Sequence, residues 1–468
     1  MQLSEEEEDY NLSLSKFESM LKTNKVLFFD SEEFEEIILH YLDIGKLNLA
    51  KKALKLALEQ HPKSSGLKLV QVEMLIFEDK LDVAEKMLHE LYAIEPHNEE
   101  IYILKANIYS KKDQHEKAVE LLQMALKYTD DLADVYNLIG MEYLFMDNFE
   151  KAKFHFIQCL ESDIEDQSSL YNIVYCFEIL EQNQEAIDYL KNYTEKNPYS
   201  EIAWHQIGRL EFGLKNYIQA IRAFEFATYI DDEFVGAYIE IAKAYEKIKN
   251  YEKAIVNYQI TLELSDPSSF ALLRIGRCYE KLDHKTKAFE YYEKTVHEDP
   301  LLDKAWIAMA DFFMAQKKYA KSIFYINKAL AIDNKNKLYW KRFATANRYL
   351  KRHEEAEFGY RKAVENGDYQ LDTWLYWIDV LYKMDEIKLA IQTLILATEY
   401  FPDHCEIEYR LAGLYDQLDC AIETQFHLVN ALKIDYKKRS ILKKLFPDFY
   451  QDEHVQQVFF NFKHHFYD

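Results

Sequence analysis

Glycine and proline are scarce in this chain, 10 and 7 of 468 residues, where average usage gives roughly 12% for the two together. Turn-dense β-sandwiches and nucleotide folds built on glycine-rich loops are therefore disfavoured. Cysteine is also sparse: Cys159, Cys176, Cys278, Cys405 and Cys420 are odd in number, far apart and without a CxxC. That fits reduced thiols and not a disulfide framework. Uncharged apolar runs such as 168–177 fall short of the roughly 18 residues a spanning helix needs. The acidic start, Glu5 to Asp9, lacks the positive charge of a signal peptide. Basic side chains are outnumbered, 57 to 81, leaving a net charge of -24, the opposite of what phosphate neutralisation requires. The expectation is a soluble, cytoplasmic protein with no membrane span and no nucleic-acid partner.

What is present is apolar and periodic. Hydrophobic residues make up 49% of the chain and aromatics 15%, so most of it must bury a core. Length alone suggests about three ordinary domains, but a repeat overrules that count. Written in rows of 34 from Ser31, the chain places small residues in one column: Ala50, Ala84, Ala118, Ala152, Ala186, Ala220, Ala254, Ala288, Ser322, Ala356, Ala390 and Thr424. The eighth position is often small (Ala106, Gly140, Gly208, Gly276), the eleventh aromatic (Tyr41, Tyr109, Tyr245, Phe313), the fourth large (Phe34, Trp204, Trp306, Trp374). Positions 4, 7/8 and 11 share one helix face; a second stripe, as in Tyr251, Ala254, Tyr258 and Thr261, follows a short polar turn. Each row is expected to fold as two antiparallel amphipathic helices.

This pattern resembles the tetratricopeptide repeat, W-x2-L-G-x2-Y followed by A, F, A and P. Row 201 carries it as Trp204, Ile207, Gly208, Ala220, Phe224 and Ala227, and the terminating proline recurs at Pro62, Pro96, Pro198, Pro300 and Pro402. Departures are local: Glu211 and Asn347 interrupt the aromatic column, Lys68 and Glu408 the large fourth one. The resemblance implies an all-α fold, an α-solenoid in which antiparallel helix pairs wind into a right-handed superhelix. Twelve rows would begin at 31, 65, 99, 133, 167, 201, 235, 269, 303, 337, 371 and 405 and end at 438. Residues 1–30, with Tyr10, Leu14, Phe17 and Leu21 at helical spacing and a candidate capping box Ser4-x-x-Glu7, read as an N-terminal capping helix. Residues 439–468 read as C-terminal capping helices: Ile441 to Phe446, a break at Pro447, then Val455, Phe459, Phe462 and Phe466. Terminal repeats need such covers.

Catalytic motifs are not found. Gly208 to Lys215 reads G-x4-G-L-K, close to a phosphate loop, but it lacks the Ser or Thr and lies inside a helix; Gly208 is expected to be a packing glycine. There is no HExxH and no Cys/His pair at ligand spacing. The neighbours His464 and His465 point to different sides of a helix, and there is no GxSxG. No enzyme activity, cofactor or metal is expected.

By resemblance, positions 5, 9, 12 and 13 of each row line a concave groove that holds an extended or helical segment of partner proteins. Two clusters lie on or beside this stripe. Arg209, Lys243 and Arg277, with Arg274 nearby, form a basic ladder that could grip an acidic segment. Equally, Glu240, Glu246 and Glu280 lie three residues away and could neutralise it within the helices. Met141, Leu144 and Phe145, then Tyr171, Tyr175 and Ile179, form an apolar cluster that either receives side chains of a partner or packs adjacent repeats. Asp311, Asp379 and Glu73 make the stripe two-toned. Chaperone-binding members clamp a carboxylate through Lys at position 5 and Asn at 9; Lys341 is followed by Thr345 instead, so that clamp is not expected. The leading expectation is a non-catalytic scaffold. A regulatory subunit of an enzyme complex and an RNA-processing helical repeat are the alternatives, and the aromatic tail, 459–467, could serve self-association.

Overall fold

In the computed structural model, residues 5–23, 27–265 and 268–466 are described, with side chains placed for 13–22, 27–265 and 268–463. All regular structure among them is helical. The chain divides into two compact units, Met1–Ile230 and Asp231–Asp468. In the first, paired helices begin at Ser31 and Leu47, Ser65 and Leu81, Glu99 and His115, Leu132 and Phe149, Gln167 and Asn183, and Glu201 and Tyr217. In the second they begin at Val235 and Tyr251, Ser269 and Lys285, Asp303 and Tyr319, Lys337 and His353, Leu371 and Ile387, and Cys405 and Ala421. Corresponding starts are 34 residues apart, except that Leu132 starts one residue early.

Volume is why these helices pair. The alanine column from Ala50 to Ala390, Ser322 included, is fully buried, and Thr424 nearly so. Where the eighth position is glycine, an aromatic ring of the partner helix fills the space: a Cβ on Gly140 would lie 2.6 Å from Phe156, on Gly208 2.5 Å from Phe224, and on Gly276 2.6 Å from Tyr292. Gly208 is thus a packing glycine in the helix Glu201–Gly213. Large fourth-position residues also have polar work: Trp204 Nε1 donates to the Pro198 carbonyl at 3.0 Å, Trp306 Nε1 to Pro300 at 2.9 Å and the Tyr102 hydroxyl to Pro96 at 2.9 Å. Each satisfies a carbonyl of the preceding turn.

The turns explain how so few glycines suffice. At the fifteenth position φ is positive in every row, yet only Gly45 is glycine; Asp79, Asp113, Asp147, Glu181, Lys215, Lys249, Asp283, Lys317, Lys351, Asp385 and Asp419 hold it elsewhere. The following amide reaches back five residues, as Asn250 N to Tyr245 O at 2.9 Å, closing a Schellman-type helix end.

At the N-terminus the helix Glu5–Thr23 packs Phe17 against Phe29, Phe34 and Tyr41, and Ser13 Oγ donates to Glu33 at 2.7 Å. The capping box lies at Asp30 and Glu33; Ser4 of the expected box, like the side chains of Tyr10, His464, His465 and Phe466, lies outside the described residues. At the other end the expected break is present: the helix Ser440–Leu445 stops at Phe446, immediately before Pro447. Proline, which has no amide hydrogen to place, opens a short helix, Pro447–Gln451, and Glu453–Phe466 follows. Val455 and Phe459 are buried, and Phe462 stacks on Tyr436 at 6.0 Å, so this part of the tail packs on its own chain. All five cysteines are free thiols, and only Cys420 is not buried.

Candidate functional site

In the first unit, Tyr171, Tyr175 and Ile179 occupy successive turns of one face of the helix Gln167–Ile179. They are 43%, 47% and 47% exposed, and Phe145, from the neighbouring helix Leu132–Phe145, is 57% exposed. Phe145 stacks on His115 at 5.4 Å and Tyr175 meets Phe149 edge-on at 6.3 Å, so each ring is braced by a neighbouring ring. Met141 and Leu144 differ: both are half-buried against the core of this unit. The fifth position is likewise not uniformly open, since Leu69, Leu273, Ile307 and Tyr409 are buried.

Close by in the row pattern, a cavity of about 550 Å³ opens between 130–137 and 159–166. Asp130, Asp131, Asp134, Asp163 and Asp166 line it, and no lysine or arginine does. Burial raises the pKa of Asp134, with a further push from Asp131. Asp166 goes the other way: burial alone would raise it, but hydrogen bonds from Ser169, Ser168 and Cys159 outweigh that and bring it to about 2. Among the described residues no group of three or more His, Cys, Asp or Glu side chains is arranged to hold a metal ion. Earlier along the same unit, burial raises Glu35, Glu73 and Glu100, the last to about 7 with the charges of Glu73, Glu99 and Asp134 adding to it.

The basic residues fare unequally. Arg209, in the first unit, lies 3.5 Å from Glu178 and donates to Gln206 at 2.8 Å. In the second unit Lys243 pairs with Glu240 inside its helix at 2.7 Å and lies over the Phe270 ring. Glu246 does not serve Lys243; it takes two bonds from Arg274, at 2.8 and 2.7 Å, from 28 residues further on. Glu280 accepts the Tyr292 hydroxyl at 2.6 Å. Arg277 has no ion pair among the described residues and lines a cavity of about 450 Å³. Asp311 is held by Arg342 at 2.7 and 3.0 Å, Asp379 by Arg410, and Lys341 by Asp372 at 2.9 Å. These cross-helix partners, 31 residues apart, are invisible to a search within one helix.

The architecture is an α-solenoid of helix pairs with a small-residue seam. Family comparison matches the tetratricopeptide repeat at residues 75–141, 133–163, 235–263, 270–301 and 303–336. The chain is a tetratricopeptide repeat protein. Over 157 residues it is 22% identical to anaphase-promoting complex subunit 3 of Schizosaccharomyces pombe, a match covering 34% of this chain and 24% of the relative. The chain therefore spans about a quarter of that relative's length. Among solved structures it is similar to the APC/C hetero-tetramer Cut9–Hcn1 (13% identity, TM-score 0.36, 97% of this chain and 94% of that one). It is also similar to the MamA protein (21%, 0.33, 37% and 94%) and to YrrB, a TPR protein with an unusual peptide-binding site (23%, 0.30, 40% and 95%). No described helix is long and apolar enough to cross a membrane.

Proposed function

We propose that the chain is a non-catalytic protein-interaction scaffold, with residues 31–438 forming twelve tandem repeats between caps at 1–30 and 439–468. Its first helices hold an extended or helical segment of a partner protein. The observation that supports this best is the row of half-exposed rings at Phe145, Tyr171 and Tyr175, continued by Ile179. Such rings supply contact area at low conformational cost, and an apolar patch of this kind on a water-facing helix is a docking surface. Half-buried Met141 would form its floor.

The test is the paired change Tyr171→Ser and Tyr175→Ser in the full chain. Because both side chains are about half in water, the fold should hold at a cost of about 1–2 kcal/mol. A partner captured stoichiometrically by the parent should be lost by the variant. Retention of every partner at parental affinity would remove the patch from the interface. A second reading, a regulatory subunit within an enzyme complex, draws on the match to a subunit of the anaphase-promoting complex. It requires that the native protein migrate in a large assembly of fixed composition, which size-exclusion of a lysate reads directly.

A further inference from the structure

The cavity at Arg277 lies among the helices Val235–Lys247, Ser269–Lys281 and Asp303–Ala315 of the second unit. All three of its carboxylates are engaged. Arg274 takes both oxygens of Glu246, which also accepts the Tyr258 hydroxyl at 2.7 Å; Tyr292 donates to Glu280; Arg342 binds Asp311 through two nitrogens. The cations are not balanced in the same way. Half-buried Arg277 and exposed Lys247 and Lys281 line the same cavity, and among the described residues their side chains have neither an ion pair nor a hydrogen bond. Glu280, three residues on, is where Arg277 would find an ordinary in-helix partner, and it is turned toward buried Tyr292 instead. A guanidinium stays charged at any ordinary pH, so half-burying it with its donors unmatched is unfavourable until an anion arrives.

We propose that this cavity is a subsite for an acidic protein segment, one that lays at least two Asp or Glu side chains across the neighbouring helices Val235–Lys247 and Ser269–Lys281. The proposal rests on the scaffold reading and names the chemistry of a partner at a second place on it. Glu280 keeps its charge beside the neutral Tyr292 hydroxyl, so the three cations exceed the unpaired carboxylates by two, which one incoming carboxylate does not balance. The three are divided between helices whose axes lie about 10 Å apart in ordinary packing, a distance that an extended chain rising about 3.3 Å per residue covers in about three residues. Acids at every second or third position therefore match the cavity, whereas a lone terminal carboxylate or a small anion does not. The net charge of -24 sharpens selection, because the rest of the surface repels an acidic segment that misses this site.

The probe is a fluorescein-labelled, C-terminally amidated (Glu-Gly)6 peptide titrated into the full chain at low salt and followed by anisotropy. Binding should weaken about tenfold or more in Arg277→Gln, be largely kept in Arg277→Lys, and weaken further when Lys247→Gln and Lys281→Gln are added. It should be unchanged by Lys86→Gln, an exposed lysine of the first unit. The (Gln-Gly)6 peptide should fail to bind. Circular dichroism on each variant separates lost binding from lost folding. Equal affinity in the parent and Arg277→Gln overturns the proposal. So does equal binding of (Gln-Gly)6, displacement by millimolar inorganic phosphate, or binding of a free-acid (Gly)12 peptide as tight as that of (Glu-Gly)6; the last two reassign the cavity to small anions or chain termini. The Tyr171→Ser, Tyr175→Ser chain serves as the reference for the broader reading. If it loses its partner while (Glu-Gly)6 fails on the parent, only the acidic subsite falls.

Discussion

The two cavities set the same helix-pair frame to opposite electrostatic ends. In the first unit five aspartates line about 550 Å³ with no cation among them; in the second, about 450 Å³ holds three carboxylates, all engaged, and three cations without partners. The backbone does not decide this sign. Helix starts, the alanine seam and the turn conformation repeat in both units, while the charged positions do not follow the 34-residue pattern. Net charge is therefore a poor guide to local charge: in a chain at -24 this cavity still has an excess of cations, because Glu246 and Asp311 are paired with Arg274 and Arg342 and only Glu280 is left to face Lys247, Arg277 and Lys281.

The sharpest way to break the comparison is to remove one carboxylate from each unit, since the effects should have opposite signs. Glu246→Ala should destabilise by about 2–3 kcal/mol, because Arg274 and the buried Tyr258 hydroxyl both lose their acceptor. The figure is held below that for a fully buried pair because the Arg274 side chain keeps 27% of its exposure. A lowered thermal midpoint in calorimetry is the expected reading. An unchanged midpoint would mean that the Glu246 network is decorative and that the second cavity is no better built than the first.

Both cavities depend on the common seam, and overfilling it should cost nearly as much. Ala220→Leu puts a branched side chain where accessibility is zero and should destabilise by about 1–3 kcal/mol. Gly208→Ala should fall in the same range, since its Cβ would lie 2.5 Å from the Phe224 ring. Adding Phe224→Leu to Gly208→Ala should recover part of the loss. If the double variant melts below both single ones, the ring is not what excludes the methyl group.

How far this molecule is legible in its sequence differs between frame and site, for a physical reason. Helix pairing is written in spacing that repeats every 34 residues, so the alanine column and the place of Gly208 could be read directly. The match of Gly140, Gly208 and Gly276 to Phe156, Phe224 and Tyr292 was equally readable, sixteen residues on in each case, but shows only when two columns are compared. Exposure turns on a finer scale: Leu144 packs on the core while its neighbour Phe145 faces water, because one residue is about 100° of helix rotation. Charge pairing was the least legible. Lys243 takes the in-helix partner that spacing suggests, yet Glu246 is claimed by Arg274 from the second helix along, Ser269–Lys281, a choice set by distances between helices. The five-aspartate cavity was missed because its members sit at helix ends and turns, outside the stripe; the signal was the run Asp130-Asp131, Asp134, Asp163 and Asp166.

In the first unit, removing a carboxylate should help. Glu100 has its pKa raised from 4.5 to about 7, first by burial and then by Glu73, Glu99 and Asp134. A raised pKa means that the folded state binds the proton more tightly than the unfolded chain. That contribution is fully present below about pH 4.5 and is lost as pH rises through about 7. Glu100→Gln, fixed in the neutral form, should therefore gain about 1–2 kcal/mol at pH 8, discounted for solvent screening, and nothing at pH 4. An equal gain at both pH values would assign the effect to packing and not to charge.

The smallest effect compares one backbone position in the two units. Gly45 and Lys249 both occupy the fifteenth place of their rows, with φ of 70° and 63°. A Cβ on Gly45 would meet nothing within 4 Å, so Gly45→Ala isolates the left-handed backbone penalty and should destabilise by about 1 kcal/mol. Lys249→Gly relieves the same strain in the second unit, but it also loosens the unfolded chain, which offsets part of the gain. A net rise of a few tenths of a kcal/mol, up to about 1, is expected, visible as a small upward shift of the thermal midpoint. Asp283→Gly should give less than Lys249→Gly, since a short polar side chain tolerates this conformation and a lysine gains nothing from it. If the order were reversed, Asp at this position would be a source of strain and not a substitute for glycine. The recurrence of aspartate there, at Asp79, Asp113, Asp147, Asp283, Asp385 and Asp419, would then have no conformational reason.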